Sequence, residues 1–186
     1  MRARSIGFML CASLSLCGCG YTSLQQQDED VKTSWSQVVS VYQRRADLAA
    51  SLASTVKANS IETGATSEQQ VIGVAQESAR SGSSPAAPAV LNDPAAFASY
   101  QAMQDRLTDS LENLLGISSS YPQLQSDANF RDLRTQLAET EERLAEARNR
   151  YVAAVRAFNT SVRTFPTDLT ARVFDFRPKP SLGGSN

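Results

Sequence analysis

Histidine is absent from this 186-residue sequence, and its absence narrows the chemistry that the protein can perform. Histidine is the usual general base near neutral pH and the commonest metal ligand, so acid–base and metal catalysis are disfavoured. The three cysteines all lie within the first 19 residues, which excludes a disulfide framework in the rest of the chain. The sequence also lacks a glycine-rich phosphate loop and a nucleophile paired with a base. We therefore expect no cofactor and no small-molecule substrate.

An excess of basic charge is also missing. The chain has 18 basic and 19 acidic residues, a net charge of -1, so nucleic acid is not an expected partner. Hydrophobic residues make up 41% of the sequence, enough for a packed core, and the length favours one domain. Alanine, glutamine, glutamate, arginine and leucine are abundant, a composition typical of helical proteins.

The first 18 residues have the pattern of a cleaved signal peptide. Arg2 and Arg4 give a positive start, and residues 6–16 are mostly apolar or small. This run is too short for an ordinary transmembrane helix. It ends in a motif that resembles a bacterial lipobox, Leu16-Cys17-Gly18-Cys19. We predict that residues 1–18 are removed and that Cys19 carries the acyl chains. An uncleaved or ordinary secretory signal with incidental cysteines is the alternative.

The lipobox also predicts where the mature protein resides. After cleavage the chain would keep 16 basic and 19 acidic residues, a net charge of -3, which suits a periplasmic domain tethered by lipid. Residue 20 is glycine rather than aspartate, so by analogy with enteric bacteria the outer membrane is favoured over the inner membrane. Residues 19–22 are predicted to form the lipidated anchor, with Gly20 as a flexible joint.

Two long amphipathic helices are predicted. Ser23 and Gln26 form a capping box that should begin a helix over residues 24–59. Apolar residues recur at steps of three and four between Phe130 and Val162, which predicts a second helix over residues 127–164. Each helix would be roughly 55 Å long at its usual rise, so we expect them to lie side by side.

Two shorter helices complete the expected fold. They should cover residues 68–80 and run from about 93 to 116, the latter capped by Asn92 or Asp93 with Pro94 in its first turn. We expect a break at 60–67 and a linker at 81–89. Pro166 should end the bundle, followed by one or two helical turns, an extended tail and a disordered end at 181–186. The prediction is all-α: an antiparallel four-helix bundle over residues 23–180, tail included, with two long and two shorter helices.

Several motifs, in order along the chain, resemble the LemA family of bacterial envelope proteins. The first long helix contains Trp35-Ser36-Gln37-Val38, Arg44-Arg45-Ala46-Asp47-Leu48 and Val56-Lys57. The second half contains Tyr121-Pro122-Gln123-Leu124, Leu137-Ala138-Glu139-Thr140-Glu141-Glu142-Arg143, Phe158-Asn159, Arg163-Thr164-Phe165-Pro166 and Phe176-Arg177-Pro178-Lys179-Pro180. The resemblance covers residues 21–180 and implies a membrane-attached helical bundle without an established enzymatic activity. Typical members carry a transmembrane helix in place of the lipobox, and residues 59–95 match poorly.

Arg45 is the most unusual candidate, because it falls within the apolar stripe of its helix. A buried guanidinium needs a carboxylate or carbonyl partner. We predict a structural clasp that involves Arg45, Asp47 and Glu141, with Glu139 as an alternative acceptor, and that fixes the register of the long helices. The alternative is an anion-binding or partner-binding patch.

Two other groups allow a functional reading beside a structural one. Glu139, Glu141, Glu142 and Glu146 could suggest a dimetal site, but such sites add histidines, so we expect solvated salt bridges to Arg143 and Arg150 and no metal. Phe165, Phe174 and Phe176 are expected to close the end of the bundle. Alternatively, this aromatic, proline-rich tail could form a surface that docks a partner.

These observations favour a non-catalytic, lipid-anchored helical envelope protein. It would act as a scaffold, with its charged helix faces docking an unidentified envelope protein. The alternative is a regulatory or signalling component that modulates a membrane partner. An enzyme is disfavoured because the usual acid–base and metal-binding residues are missing.

Overall fold

A computed structural model describes the backbone of residues 2–60 and 66–183 and the side chains of residues 20–59 and 67–183. Within these ranges the chain is helical and contains no strand, which confirms the all-α prediction. Six α-helices are present there: α1 (Arg2–Ser60), α2 (Thr66–Gly82), α3 (Pro94–Ser118), α4 (Pro122–Ser126), α5 (Ala128–Arg163) and α6 (Thr167–Val173). A 3-10 helix, Pro88–Asn92, precedes α3. The two long helices of the prediction are α1 and α5.

The start of α1 differs from the prediction. Its backbone is already helical from Arg2, so Ser23 lies inside the helix and does not cap it. The Ser23 hydroxyl accepts a hydrogen bond from the Gln27 side chain at 3.2 Å. Gly20, the expected joint, is likewise a helical residue. A cap is needed only where a helix begins, and here the amides around Ser23 bond to the carbonyls of the preceding turn.

Other predictions fall wholly or partly outside the described residues. These are the acylation of Cys19 and the side chains of the signal peptide, most of the break at 60–67, and positions 184–186 of the expected disordered end. Lipidation and cleavage therefore stay predictions. Leu182, within the expected disordered end, is buried.

The chain divides into two compact units. Unit 1 comprises Met1–Trp35 with Asn149–Asn186, and unit 2 comprises Ser36–Arg148. Both α1 and α5 contribute residues to each unit.

Unit 2 is a four-helix arrangement around an apolar core. Its core side chains come from all four of its longer helical segments: Ala49, Leu52 and Val56 of α1, Ile72 and Ala75 of α2, Leu107, Leu111 and Leu114 of α3, and Phe130 and Leu137 of α5. Asn129 on α5 bonds to Thr55 on α1, and Gln136 bonds to Arg44, so these segments run antiparallel. Full burial of each large aliphatic side chain contributes about 2 kcal/mol to folding.

Local signals define the ends of the helices in unit 2. Asp93 caps α3, because its carboxylate accepts from the amides of Ala95 and Ala96 at 3.0 and 3.1 Å. Leu124 on α4 is fully buried and joins the same core. α2 continues two residues past its predicted end to Gly82. A Cβ at this glycine would lie 2.8 Å from Leu107 Cδ2, so a larger residue would force the buried Leu107 side chain to move.

Unit 1 contains the first part of α1, the end of α5, α6 and the C-terminal tail. Leu24, Val31, Trp35, Tyr151 and Phe158 are buried, and the Trp35 and Tyr151 rings lie 5.3 Å apart. Trp35 is therefore a core residue of this unit.

Candidate functional site

Arg45 is the centre of a buried polar cluster in unit 2. Only 2% of its surface is exposed. Its Nη1 donates to Thr108 Oγ1 at 3.0 Å, and its Nη2 donates to both the backbone oxygen and the side-chain Oε1 of Gln104, each at 3.0 Å. Both acceptor residues lie on α3. These hydrogen bonds join α1 to α3, a link that was not predicted, and they stand beside the predicted pairing of Arg45 with Glu141 on α5.

Glu141 is a weaker partner of Arg45. Its Oε1 lies 3.5 Å from Arg45 Nη1, but its side chain is 47% exposed. An exposed, imperfectly aligned ion pair contributes less than a buried charge-assisted hydrogen bond. Asp47 is also exposed, and none of the described contacts of Arg45 involves it. Glu139, the alternative acceptor, instead pairs with Arg143 on its own helix, with its Oε2 3.9 Å from Arg143 Nη2.

Gln104 is the residue that the sequence analysis missed. It is 1% exposed, accepts from Arg45, and donates from Nε2 to the carbonyl oxygen of Gly82 at 3.0 Å. One side chain thus joins the end of α2 to the arginine on α1. A signal was present: Tyr100, Gln104, Leu107 and Leu111 follow one another at steps of four, three and four, which places this amide on the apolar face of α3.

Two tyrosines and a second arginine adjoin Arg45. The Arg45 and Arg148 guanidinium groups lie 5.2 and 5.3 Å from the centre of the Tyr42 ring, and Arg148 also donates to the Tyr42 hydroxyl. The Tyr42 and Tyr100 rings meet edge to face at 5.8 Å. Burial is the main reason that the pKa of Tyr100 rises to about 12, so this phenol stays protonated at neutral pH. The arrangement offers cation–π and hydrogen-bond contacts between helices.

The chemistry of this cluster is that of a structural crosslink. The two Nη atoms of Arg45 make four of the contacts in this cluster. Of the three guanidinium nitrogens, Nε is the one that is buried without a hydrogen-bond partner in the described part of the chain. Breaking such a buried network is costly because it leaves an uncompensated charge. The glutamates of α5 named above are exposed, and no three potential metal ligands cluster anywhere in the part of the chain that the structure describes.

A second polar cluster fixes the C-terminal tail in unit 1. The Asn159 carboxamide accepts from the backbone amide of Lys179 at 2.8 Å and donates to its carbonyl at 2.9 Å. Tyr151 donates to the carbonyl of Pro180 at 2.6 Å. These bonds explain why the tail is ordered although it is extended.

The side chain of Lys179 is also bound. Its Nζ lies 3.1 Å from Asp28 Oδ1, and Lys32 Nζ lies 2.8 Å from the other carboxylate oxygen. Burial opposes ionisation of Asp28, but hydrogen bonds and positive charge from Lys32 and Lys179 outweigh it and hold its pKa below the usual 3.8. Asn159 and Lys179 both belong to motifs that resemble the LemA family, but neither motif predicts that these two residues meet.

The three aromatic residues proposed for a partner surface separate into two groups. Phe176 packs against Phe158 and Tyr21, with ring centres 6.2 and 6.1 Å apart. Phe165 and Phe174 are 76% and 55% exposed, and Phe174 also lies against Tyr21 at 4.5 Å. Phe176 thus takes the structural position, while the other two remain available at the surface.

A family model described as the LemA family matches residues 34–184, most of the chain. No curated protein matches the sequence. Among the described residues, no helix is both long enough and apolar enough to cross a membrane.

Proposed function

Because this chain belongs to the LemA family, we propose that it acts as a non-catalytic, lipid-anchored scaffold of the bacterial envelope. The proposal rests on Arg45, the buried charged residue within the apolar stripe of α1. Its Nη hydrogen bonds end on Thr108 and Gln104 of the same bundle. Its charge stabilises the packing of helices, as a rigid interaction module requires.

The exposed face of α5 in unit 2 is the proposed docking surface. It carries charges of both signs along about four helical turns: Arg131, Asp132, Arg134, Glu139, Glu141, Glu142, Arg143 and Glu146. Three are basic and five are acidic, so the face has an excess of two negative charges. Charge complementarity then favours a partner with a basic surface and makes association sensitive to salt.

The anchor is the second part of the proposal. It is supported by the positive start, the apolar run and the lipobox that ends at Cys19. A lipid anchor on the periplasmic face, in the outer membrane rather than the inner, would restrict the scaffold to one surface and raise its effective concentration there. Radiolabelled palmitate should be incorporated into the full chain and lost in Cys19→Ala. Labelling that persists in this variant would contradict the anchor.

A site-specific photocrosslinker tests the docking surface in intact cells. It replaces Glu142 on the proposed face, and the matched control replaces Glu112, an exposed glutamate on α3 in the same unit. We expect a discrete, salt-sensitive crosslinked species from position 142 and none from position 112. A stable partner at constant stoichiometry supports the scaffold. A partner captured only transiently would favour a regulatory component, and equal or absent crosslinking at both positions would reject this face.

A further inference from the structure

An exposed apolar patch lies on α6 and its flanks. The structure exposes more than half of five large hydrophobic side chains in its described part, and four of them fall within ten residues: Phe165, Leu169, Val173 and Phe174. Val173 and Phe165 are the most exposed, at 77% and 76%. Single exposed apolar residues are ordinary, but a contiguous group on a soluble surface marks a site of contact.

This patch adjoins the start of the mature chain. Leu169, Val173 and Phe174 line a cavity of about 330 Å³ together with Pro166 and Gly20. The contact with α1 is close: a Cβ at Gly20 would lie 3.2 Å from Thr170 Oγ1. Gly20 directly follows Cys19, and consecutive Cα atoms are about 3.8 Å apart. The apolar patch therefore begins one residue from the proposed acylation site.

We propose that Phe165, Leu169, Val173 and Phe174 form a second membrane contact, which inserts into the bilayer surface beside the acyl anchor. The inference rests on the proposed lipidation of Cys19. Acyl chains at Cys19 would hold Gly20 at the lipid surface, so the neighbouring patch must face either the headgroups or the upper part of the acyl chains. Apolar side chains on a short amphipathic segment bind at this depth, about 5–10 Å below the surface.

Charged residues at the edge of the patch also suit contact with a bilayer. Arg163, Arg172 and Arg177 are exposed, and they outnumber Asp168 and Asp175 by one positive charge. Arg172 and Arg177 lie 3.7 and 3.0 Å from these aspartates, respectively. A basic edge around aromatic and aliphatic residues suits a bilayer that contains anionic lipid. The patch would thus stop the anchored domain from turning freely about its lipid tether.

Tryptophan fluorescence can test the contact, because the chain has a single tryptophan, Trp35, which is fully buried. Val173→Trp is introduced into the full chain, which is expressed in a lipoprotein-processing host and reconstituted into phosphatidylethanolamine–phosphatidylglycerol vesicles that contain a nitroxide-labelled lipid. The control is Thr33→Trp, an exposed α1 position of the same unit that lies about 20 Å along the helix from Gly20. Mass spectrometry of each sample reports acylation at Cys19 separately.

We expect the indole at 173 to shift to the blue and lose most of its emission, while the indoles at 33 and 35 keep theirs. Adding Leu169→Ser to Val173→Trp should weaken the quenching without changing helicity. An acylated protein whose indole at 173 is quenched no more than the control overturns the membrane contact and leaves the anchor intact. An unacylated Cys19 rejects the anchor and the inference together. A blue shift that follows protein concentration instead of lipid would assign the patch to a second copy and also overturn the inference.

Discussion

The two kinds of partner around Arg45 should contribute very different free energies, which a pair of substitutions can separate. Gln104→Met keeps the length of a fully buried side chain but removes both of its polar atoms. The Arg45 guanidinium then loses an acceptor at 3.0 Å, and the Gly82 carbonyl loses its donor. Glu141→Gln keeps the shape of its side chain and removes only the charge at 3.5 Å from Arg45.

The magnitudes follow from burial. A buried hydrogen bond to a charged group contributes about 1.5–3 kcal/mol, and an orphaned buried carbonyl costs a further 1–3 kcal/mol. Allowing for the apolar burial gained by methionine, Gln104→Met should lower the free energy of unfolding by about 3 kcal/mol. Glu141 is almost half exposed, so Glu141→Gln should cost less than about 1 kcal/mol.

Urea unfolding followed by far-ultraviolet circular dichroism measures both changes, with Ser110→Ala as the control. Ser110 is buried on the same helix, but its hydroxyl bonds only to the nearby Leu107 carbonyl. High salt should erase the effect of Glu141→Gln and leave that of Gln104→Met, because buried bonds are poorly screened. A larger loss from Glu141→Gln than from Gln104→Met would refute this reasoning and restore the clasp to α5.

Three further predictions concern the tail and the titratable groups. Asn159→Ala removes both hydrogen bonds to the Lys179 backbone, so the free energy of local opening of the tail should fall by roughly 2 kcal/mol. The amide of Lys179 should then exchange its hydrogen faster. Asn149→Ala, at an exposed position, is the control. The ion pairs that lower the pKa of Asp28 stabilise the fold above pH 3.8, and this stabilisation should be lost as the pH falls below that value. Asp28→Asn should flatten the dependence of the free energy of unfolding on pH. An unchanged dependence would contradict the ion-pair assignment. The pKa of Tyr100 is raised to about 12, so the folded chain keeps this phenol protonated at pH values at which the unfolded chain ionises it. The free energy of unfolding should therefore fall between pH 10.0 and about 12. Tyr100→Phe should reduce this fall, and ultraviolet titration follows the ionisation of the phenol.

Local signals were sufficient for much of the fold. The apolar period of α5, the cap at Asp93 with Pro94 after it, and the buried Leu124 all depend on residues close together in sequence. The burial of Arg45 was predicted for the same reason, since its place in the stripe fixes the face of α1 on which it lies. Ser23 shows the limit: a capping motif is also compatible with a helix interior when the preceding residues are themselves helical.

The partners of buried polar groups could not be predicted in the same way. The choice of Gln104 over Glu141 depends on how α3 is rotated about its axis and on where α2 ends, and no short-range pattern encodes these. The pairing of Asn159 with Lys179 spans 20 residues and depends on one carboxamide that satisfies both backbone groups of an extended segment. Each residue was visible as part of a motif, but their contact is tertiary.

The close approach of Gly20 to α6 bears on how the membrane destination can be tested. Replacing the residue after an acylated cysteine with aspartate is the obvious way to redirect a lipoprotein to the inner membrane. Here Gly20→Asp would also push a Cβ and a carboxylate against Thr170, whose Oγ1 would be 3.2 Å from that Cβ. Mislocalisation of this variant would therefore mix altered trafficking with a changed contact between α1 and Thr170 of α6. Combining it with Thr170→Ala removes the obstructing hydroxyl, so the membrane localisation can be changed while the packing of α1 against α6 is kept.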